Sequence, residues 1–362
     1  MSQNVTNDTV VDVPSQDPET AKVQQAIDAL LASRDPKVES YEEFRGHQFD
    51  HGLAWVYQAE GDGGLNVRPD LQRMVEAQLR TAGAQPTLAV QFFMYLAGPT
   101  IATHGSEGVR KRFLRPMFTG EERWCQLFSE PGAGSDFAGL GTRAVRDGDE
   151  WIVNGQKVWN TLAHLADWGM LVTRSDPNQP KHKGMTYFAL DMKSPGVEVR
   201  PLRQITGEAE FNEVYLTDVR VPDSCRVGEV GEGWRASLTT LMNERNAIGA
   251  GSGTPPKRGS GTIGAAVNVW KRLDDTDRTA PARDELMKLW CRSEVLRLTN
   301  LRASGNRKKG NPGPEMSVSK LAMAGLNQDI LSFAVSLEGA KGMVDYDYTF
   351  RRPDDLSVDG TG

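Results

Sequence analysis

The apolar positions of this chain change rhythm twice. Up to about Glu121 they recur at three- and four-residue spacing: "ETAKVQQAIDALLAS" and "DLQRMVEAQLRTA" each carry an apolar stripe, which predicts amphipathic helices. "TLAVQFFMYLAG", bracketed by Pro86 and Pro99, is apolar on every side and predicts a buried core helix. At 1.5 Å per residue it falls well short of the ~30 Å needed to cross a membrane. "EGVRKRFLRPMF" predicts the next helix, and clusters such as "EGDGG" mark the turns.

From Trp124 to about Gly228 the period becomes two. "EWIVNGQKVWN" predicts two short strands joined at Asn154-Gly155, a strong hairpin signal. "GMLVTR", "MTYFALDM", "VEVRPL" and "EVYLTDVRV" follow with Gly, Pro or Asp between them, which predicts an antiparallel barrel or sandwich. From Gly233 the helical period returns in "GWRASLTTLMNERNAIGA", "RDELMKLWCRSEVLRLTNLRAS" and "PEMSVSKLAMAGLNQDILSFAVSLEG". Two stretches, 249–264 and 305–315, are too rich in Gly and Pro for a helix interior. The expected fold class is α+β: a disordered segment over 1–22, a helical domain over 23–121, a β-domain over 122–230 and a helical bundle over 231–362.

A chain of 362 residues can hold two or three packed units. Its formal charge of −6 gives no basic footprint for nucleic acid. The first twenty residues are polar and acidic, so no signal peptide is readable. Cys125, Cys225 and Cys291 lie far apart without C-x-x-C spacing. They read as thiols of a cytoplasmic protein.

The chemistry is narrowed by exclusion. His47 and His51 stand at i and i+4 but lack the Glu of H-E-x-x-H and a third ligand, so no metal site is expected. The 249–264 stretch is no P-loop, and no G-x-S-x-G marks a nucleophile. What stands out is "WCQLFSEPGAGSD" (124–136), a predicted strand that ends in Ser129 and turns through glycines into Ser135. A flat redox ring needs an apolar slot, backbone amides and a small hydroxyl at its rim, and Gln126, Phe128 and Ser129 offer these. In "KVWNTLAH", Trp159 and Thr161 project to one side of a strand and make a second candidate rim.

"SEPGAGSD", "WIVNGQKVWNT" and "EVYLTDVRVP", in that order, resemble the acyl-CoA dehydrogenase family, flavoenzymes of helix, β-barrel, helix build. The likeness runs from about residue 25 to the end. It implies that FAD is wrapped by Gln126, Phe128 and Ser129 on one side and Trp159, Asn160 and Thr161 on the other, with Ser135 facing the CoA thioester. It also implies electron-transfer flavoprotein as the acceptor.

Dehydrogenation of a saturated thioester needs a base for the α-proton while hydride leaves the β-carbon. Trp234, Leu238, Leu241, Arg245 and Ile248 form a stripe by helical spacing, and Glu244 lies at its edge, one turn after Thr240. A subset of the family carries its base on this helix just ahead of an Arg, and Glu244-Arg245 matches that subset. Met242 and Arg245 are the accompanying substrate contacts. Two features depart from the family pattern: no R-x-x-F-G run follows this helix, and no closing segment with its Gly-Thr/Ser pair follows "DDLSVDGTG". The expectation is either a chain that continues further or a partner subunit that completes the site, in a homo- or hetero-oligomer, a dimer of dimers. The competing readings are a flavin oxidase or monooxygenase of the same fold, and a non-catalytic subunit of a heteromeric dehydrogenase.

Overall fold

The computed structural model describes residues 17–87, 92–249, 257–308, 313–344 and 349–352, the side chains of 245–249, 307, 308 and 316 excepted. They form two compact units that divide between Asn243 and Glu244, with Phe350–Arg352 returning to the first.

The first unit opens with five helices: α1 Pro18–Ser33, α2 Tyr41–Asp50, α3 Gln72–Ala82, α4 Met94–His104 and α5 Glu107–Thr119. Val23, Ile27 and Leu30 of α1 share one core with Phe44, Val75 and Leu79, so the three-and-four spacing faces inward as its period requires. Ser40 and Glu43 close a reciprocal capping box that starts α2. Residues 18–22, expected within a disordered segment, are helical, because Pro18 at the first helical position already has the φ the turn needs. Residues 1–16 of that segment lie outside the described residues.

The apolar helix is placed differently from the expectation. It begins at Met94 and runs through Pro99 to His104, and 88–91 lie outside the described residues. Pro99 removes the donor that the Tyr95 carbonyl would use, but Tyr95 is 41% exposed, on a side that water reaches. That exposure also shows that the helix is not buried all round.

Eight strands follow: β1 Trp124–Leu127, β2 Arg143–Asp147, β3 Glu150–Lys157, β4 Trp168–Arg174, β5 Met185–Asp191, β6 Val197–Leu202, β7 Phe211–Pro222 and β8 Arg226–Val227. Their order is β6-β7-β3-β2-β4-β5-β8, with β1 also on β4. The inward residues, among them Trp151, Val153, Leu171, Phe188, Val219 and Val221, make one core. The sheet is mixed, not antiparallel throughout: β1 runs parallel to β4 over Trp124–Leu127, and β2 meets β4 in parallel at Arg143 and Arg174. Alternation reports which face a residue takes, not strand direction.

Asn154-Gly155 is not a hairpin turn. β3 runs straight through it, and the β2–β3 hairpin turns at Gly148-Asp149 between the paired Asp147 and Glu150. The β3–β7 register slips between Val153 and Gly155, where Asp218 of β7 takes a left-handed φ of +49°. Asn154 is the polar partner of that bulge: its amide donates to Asp218 Oδ1, and its Oδ1 accepts the Asp218 N–H, both at 2.9 Å. Gly155 allows the close approach, since a Cβ there would lie 2.7 Å from the Cα of Thr142.

α6 (Gly233–Gly249) leaves the sheet, and its buried face differs from the expected stripe. Gly233, Ala236, Ser237 and Thr240 are buried, whereas Leu238 is 41% and Met242 62% exposed. Small residues let the helix sit close, and Ser237 and Thr240 bond back to the carbonyls of Gly233 and Ala236, so their hydroxyls can be buried. A hydrophobicity pattern does not register such a face.

The second unit contains α7 Thr262–Arg272, α8 Ala280–Lys308 and α9 Glu315–Leu337 around Ile263, Ala266, Leu286, Leu289, Leu326 and Ile330. α7 is not anticipated by the pattern, because its first turn overlaps the Gly-rich stretch and follows Gly261 at φ +74°. α8 continues into the second stretch read as a loop, of which 309–312 lie outside the described residues. Among the described residues no helix is long and apolar enough to cross a membrane.

Candidate functional site

β1 stops pairing with β4 after Leu127, and the chain leaves through Phe128 and Ser129 into the loop that carries Gly132–Asp136. β3 ends at Lys157, so Trp159 and Thr161 lie in the turn that follows and not, as expected, on one side of a strand. The two exits are joined. Val158 N–H donates to the Ser129 carbonyl at 2.9 Å, and the Asn160 amide donates to the Gln126 carbonyl at 2.7 Å. Asn160 also exchanges both backbone hydrogen bonds with Asn212, at 3.0 and 3.1 Å. The structure therefore brings Gln126, Phe128, Ser129, Trp159, Asn160 and Thr161 to one place, although about thirty residues of chain lie between the two groups.

Within that place the side chains differ. Trp159 has a left-handed φ of +63° and Leu162 one of +56°, both costly for bulky residues. Trp159 is nevertheless 58% exposed, with its ring edge-on to Phe211 at 5.8 Å. Asn160 is 2% exposed, and its Oδ1 has no hydrogen-bond partner. A buried acceptor without a donor, next in sequence to an exposed indole held in strained backbone, fits a planar ligand that brings N–H groups. The Phe128 ring is committed elsewhere: it stacks on Phe137 at 4.9 Å and meets Tyr187 edge-on at 5.9 Å.

Ser135 lies exposed in the loop beyond β1, next to Asp136, which pairs with Lys181 at 2.8 Å. The other proposed substrate contacts are on α6. Met242 is exposed and Glu244 half-buried, one turn beyond the buried Thr240, while the Arg245 side chain lies outside the described ones.

Several residues around the site were not foreseen. Lys157, wholly buried, bonds the Phe128 carbonyl and pairs with Glu130 at 2.8 Å. Burial pulls the lysine down to about 8, although Glu130 acts in the other direction. The Glu130 carboxyl lies below its usual range: burial raises it, but Lys157 and the Thr142 and Gly141 N–H groups outweigh that. Asn212 holds Asn160, and Arg352 from the far end of the chain donates to Asn212 Oδ1 at 2.8 Å. A lysine at an inward strand position was a readable signal. The return of Arg352 was not.

A strand end and a facing turn here bring together an exposed indole and an unpaired buried acceptor. This chain belongs to the acyl-CoA dehydrogenase family. Residues 125–219 match the acyl-CoA dehydrogenase middle domain and 231–353 the acyl-CoA dehydrogenase C-terminal domain. It is 40% identical over 286 residues to acyl-CoA dehydrogenase FadE34 of Mycobacterium tuberculosis, covering 78% of this chain and 38% of that protein. It is 33% identical to acyl-CoA dehydrogenase IpdE1 of Mycolicibacterium smegmatis, covering 80% and 74%. Among solved structures, the Tcur3481–Tcur3483 steroid ACAD matches with a TM-score of 0.65 at 25% identity, over 90% of this chain and 85% of that one. The chain thus spans about two fifths of the length of the FadE34 relative.

Proposed function

We infer that this chain takes part in FAD-dependent dehydrogenation of an acyl-CoA thioester to the trans-2-enoyl-CoA. The observation that carries the reading is the convergence of the β1 exit and the Trp159–Thr161 turn around the unpaired Asn160 Oδ1. Bound there, FAD would supply the hydride acceptor. Ser129, Trp159, Asn160 and Thr161 hold and orient the flavin, with Gln126 and Phe128 beside them. Ser135 contacts the thioester from its loop. Glu244 takes the α-proton, and Met242 and Arg245 line the acyl path. The domain division at 122–230 and 231 onward belongs to this reading.

The steroid ACAD neighbour supports a steroid-derived acyl group as the substrate class, and its two-part name supports a hetero-oligomer. A 28% identical relative is a subunit of the caffeyl-CoA reductase–Etf complex, which supports electron-transfer flavoprotein as a partner. The test is direct. The purified protein, alone and with candidate partner subunits, should be yellow with bound FAD and should bleach anaerobically with a steroid-derived acyl-CoA. A protein that never retains FAD in any assembly contradicts the reading.

A further inference from the structure

The fully buried Lys157 has no part in the roles assigned so far. The β1–β4 ladder ends at the pair Leu127 and Leu171. The next residue on each strand is Phe128 and Val172, and the Lys157 ammonium donates to both their carbonyls, at 3.2 and 2.8 Å. One side chain therefore sits where the two strands separate and satisfies the carbonyls that the ladder leaves behind. Its third bond goes to Glu130 Oε1 at 2.8 Å. Glu130 in turn accepts the Gly141 N–H on Oε2 at 2.6 Å and the Thr142 N–H on Oε1 at 2.9 Å. Those bonds close the neck of the loop that contains Ser135.

An apolar pair of equal volume would fill this space and is often at least as stable as a buried ion pair. It would leave two strand carbonyls and the N–H of the buried Thr142 without partners, while the exposed Gly141 N–H would turn to water. The pair is thus an expensive way to gain stability and an effective way to fix geometry. We propose that Lys157 and Glu130 are the positioning pair of the site: they set where the chain parts from β4 after β1 and carries Ser129 to the cofactor, and they hold the loop that presents Ser135 to the thioester. This rests on the flavin reading given above.

The test uses the FAD-loaded protein, in whichever assembly retains FAD, as wild type, K157M, E130Q and K157M/E130Q. FAD dissociation constant and visible flavin spectrum are read separately from the thermal midpoint. K157M should weaken FAD on the order of tenfold or more, from the loss of charge-assisted bonds, with a shifted flavin spectrum. E130Q should act mainly on KM for the thioester through the loop. The double variant keeps no buried unpaired charge, so it should regain folding stability without regaining FAD affinity, which also covers the case in which K157M alone does not fold. Recovery of both in the double variant would overturn the proposal, as would wild-type FAD affinity in a folded K157M. If the wild type itself holds no FAD, the flavin reading fails instead.

Discussion

Valine in place of Thr240 keeps the shape of the side chain and removes the middle hydroxyl from a chain of three. Thr240 is fully buried, and its Oγ1 lies 2.8 Å from Thr100 Oγ1 and 3.2 Å from the Tyr187 hydroxyl. The Thr100 hydroxyl gives its only proton to the Leu96 carbonyl at 2.8 Å, so toward Thr240 it must accept. Thr240 has a longer alternative in the Ala236 carbonyl at 3.3 Å, and the shorter bond to Thr100 wins. The protons therefore run one way, from Tyr187 to Thr240 to Thr100 to Leu96, and such a chain strengthens each of its links. In T240V the Tyr187 hydroxyl, 1% exposed, has no acceptor. A buried donor left unmet costs about 1–3 kcal/mol. Thr100 keeps Leu96 and valine adds apolar burial, so the net loss should fall near the lower half, about 1–2 kcal/mol. Urea denaturation of wild type, T240V, Y187F and T240V/Y187F gives the cycle. Because the tyrosine hydroxyl has nothing to reach once Thr240 is valine, Y187F should then cost little or recover stability, with a coupling of about 1 kcal/mol or more. Strictly additive losses would refute the hydroxyl chain. The bond matters beyond stability, since it fastens α6 to α4 and β5 one turn before Glu244, beside the His104–Thr239 bond at 2.8 Å.

Three further outcomes are expected. E244Q should retain FAD and slow anaerobic flavin bleaching by acyl-CoA on the order of 10² to 10⁴, as loss of a general base does; bleaching at the wild-type rate would make Glu244 a structural residue. S129L/T161L should abolish FAD retention with unchanged far-UV circular dichroism, and a yellow double variant would sink the assignment of these rims. For pH, burial holds Lys157 at about 8 in the folded chain against its ordinary 10.5, so between those values the unfolded chain binds the extra proton and stability rises with pH. Glu130, whose carboxyl lies below its usual range, stays ionised across that window. Relative to K157M/E130Q, the wild-type melting temperature should climb between pH 8 and 10; a flat or falling difference contradicts the burial argument.

The helix, sheet, helix order was legible because it depends on local period, and local period survives without tertiary information. The site motifs were legible for a related reason: the turn chemistry of "SEPGAGSD" and the indole of "KVWNT" are short-range features. What the tertiary structure decided was everything set by a partner strand or helix. Asn154-Gly155 carries a hairpin signal, yet β7 claims both residues for a bulge, because Asp218 offers Asn154 two hydrogen bonds. α6 carries an apolar stripe, yet it buries the small face of Gly233, Ala236, Ser237 and Thr240, because α4 and β5 present hydroxyls to Thr240. Lys157 stands at an inward position of β3, but what it bonds is decided where β1 and β4 separate beside it and leave two carbonyls that need a donor. A sequence pattern records what each residue prefers. Which unpaired groups it must satisfy depends on segments a hundred residues away, and only the fold brings those together.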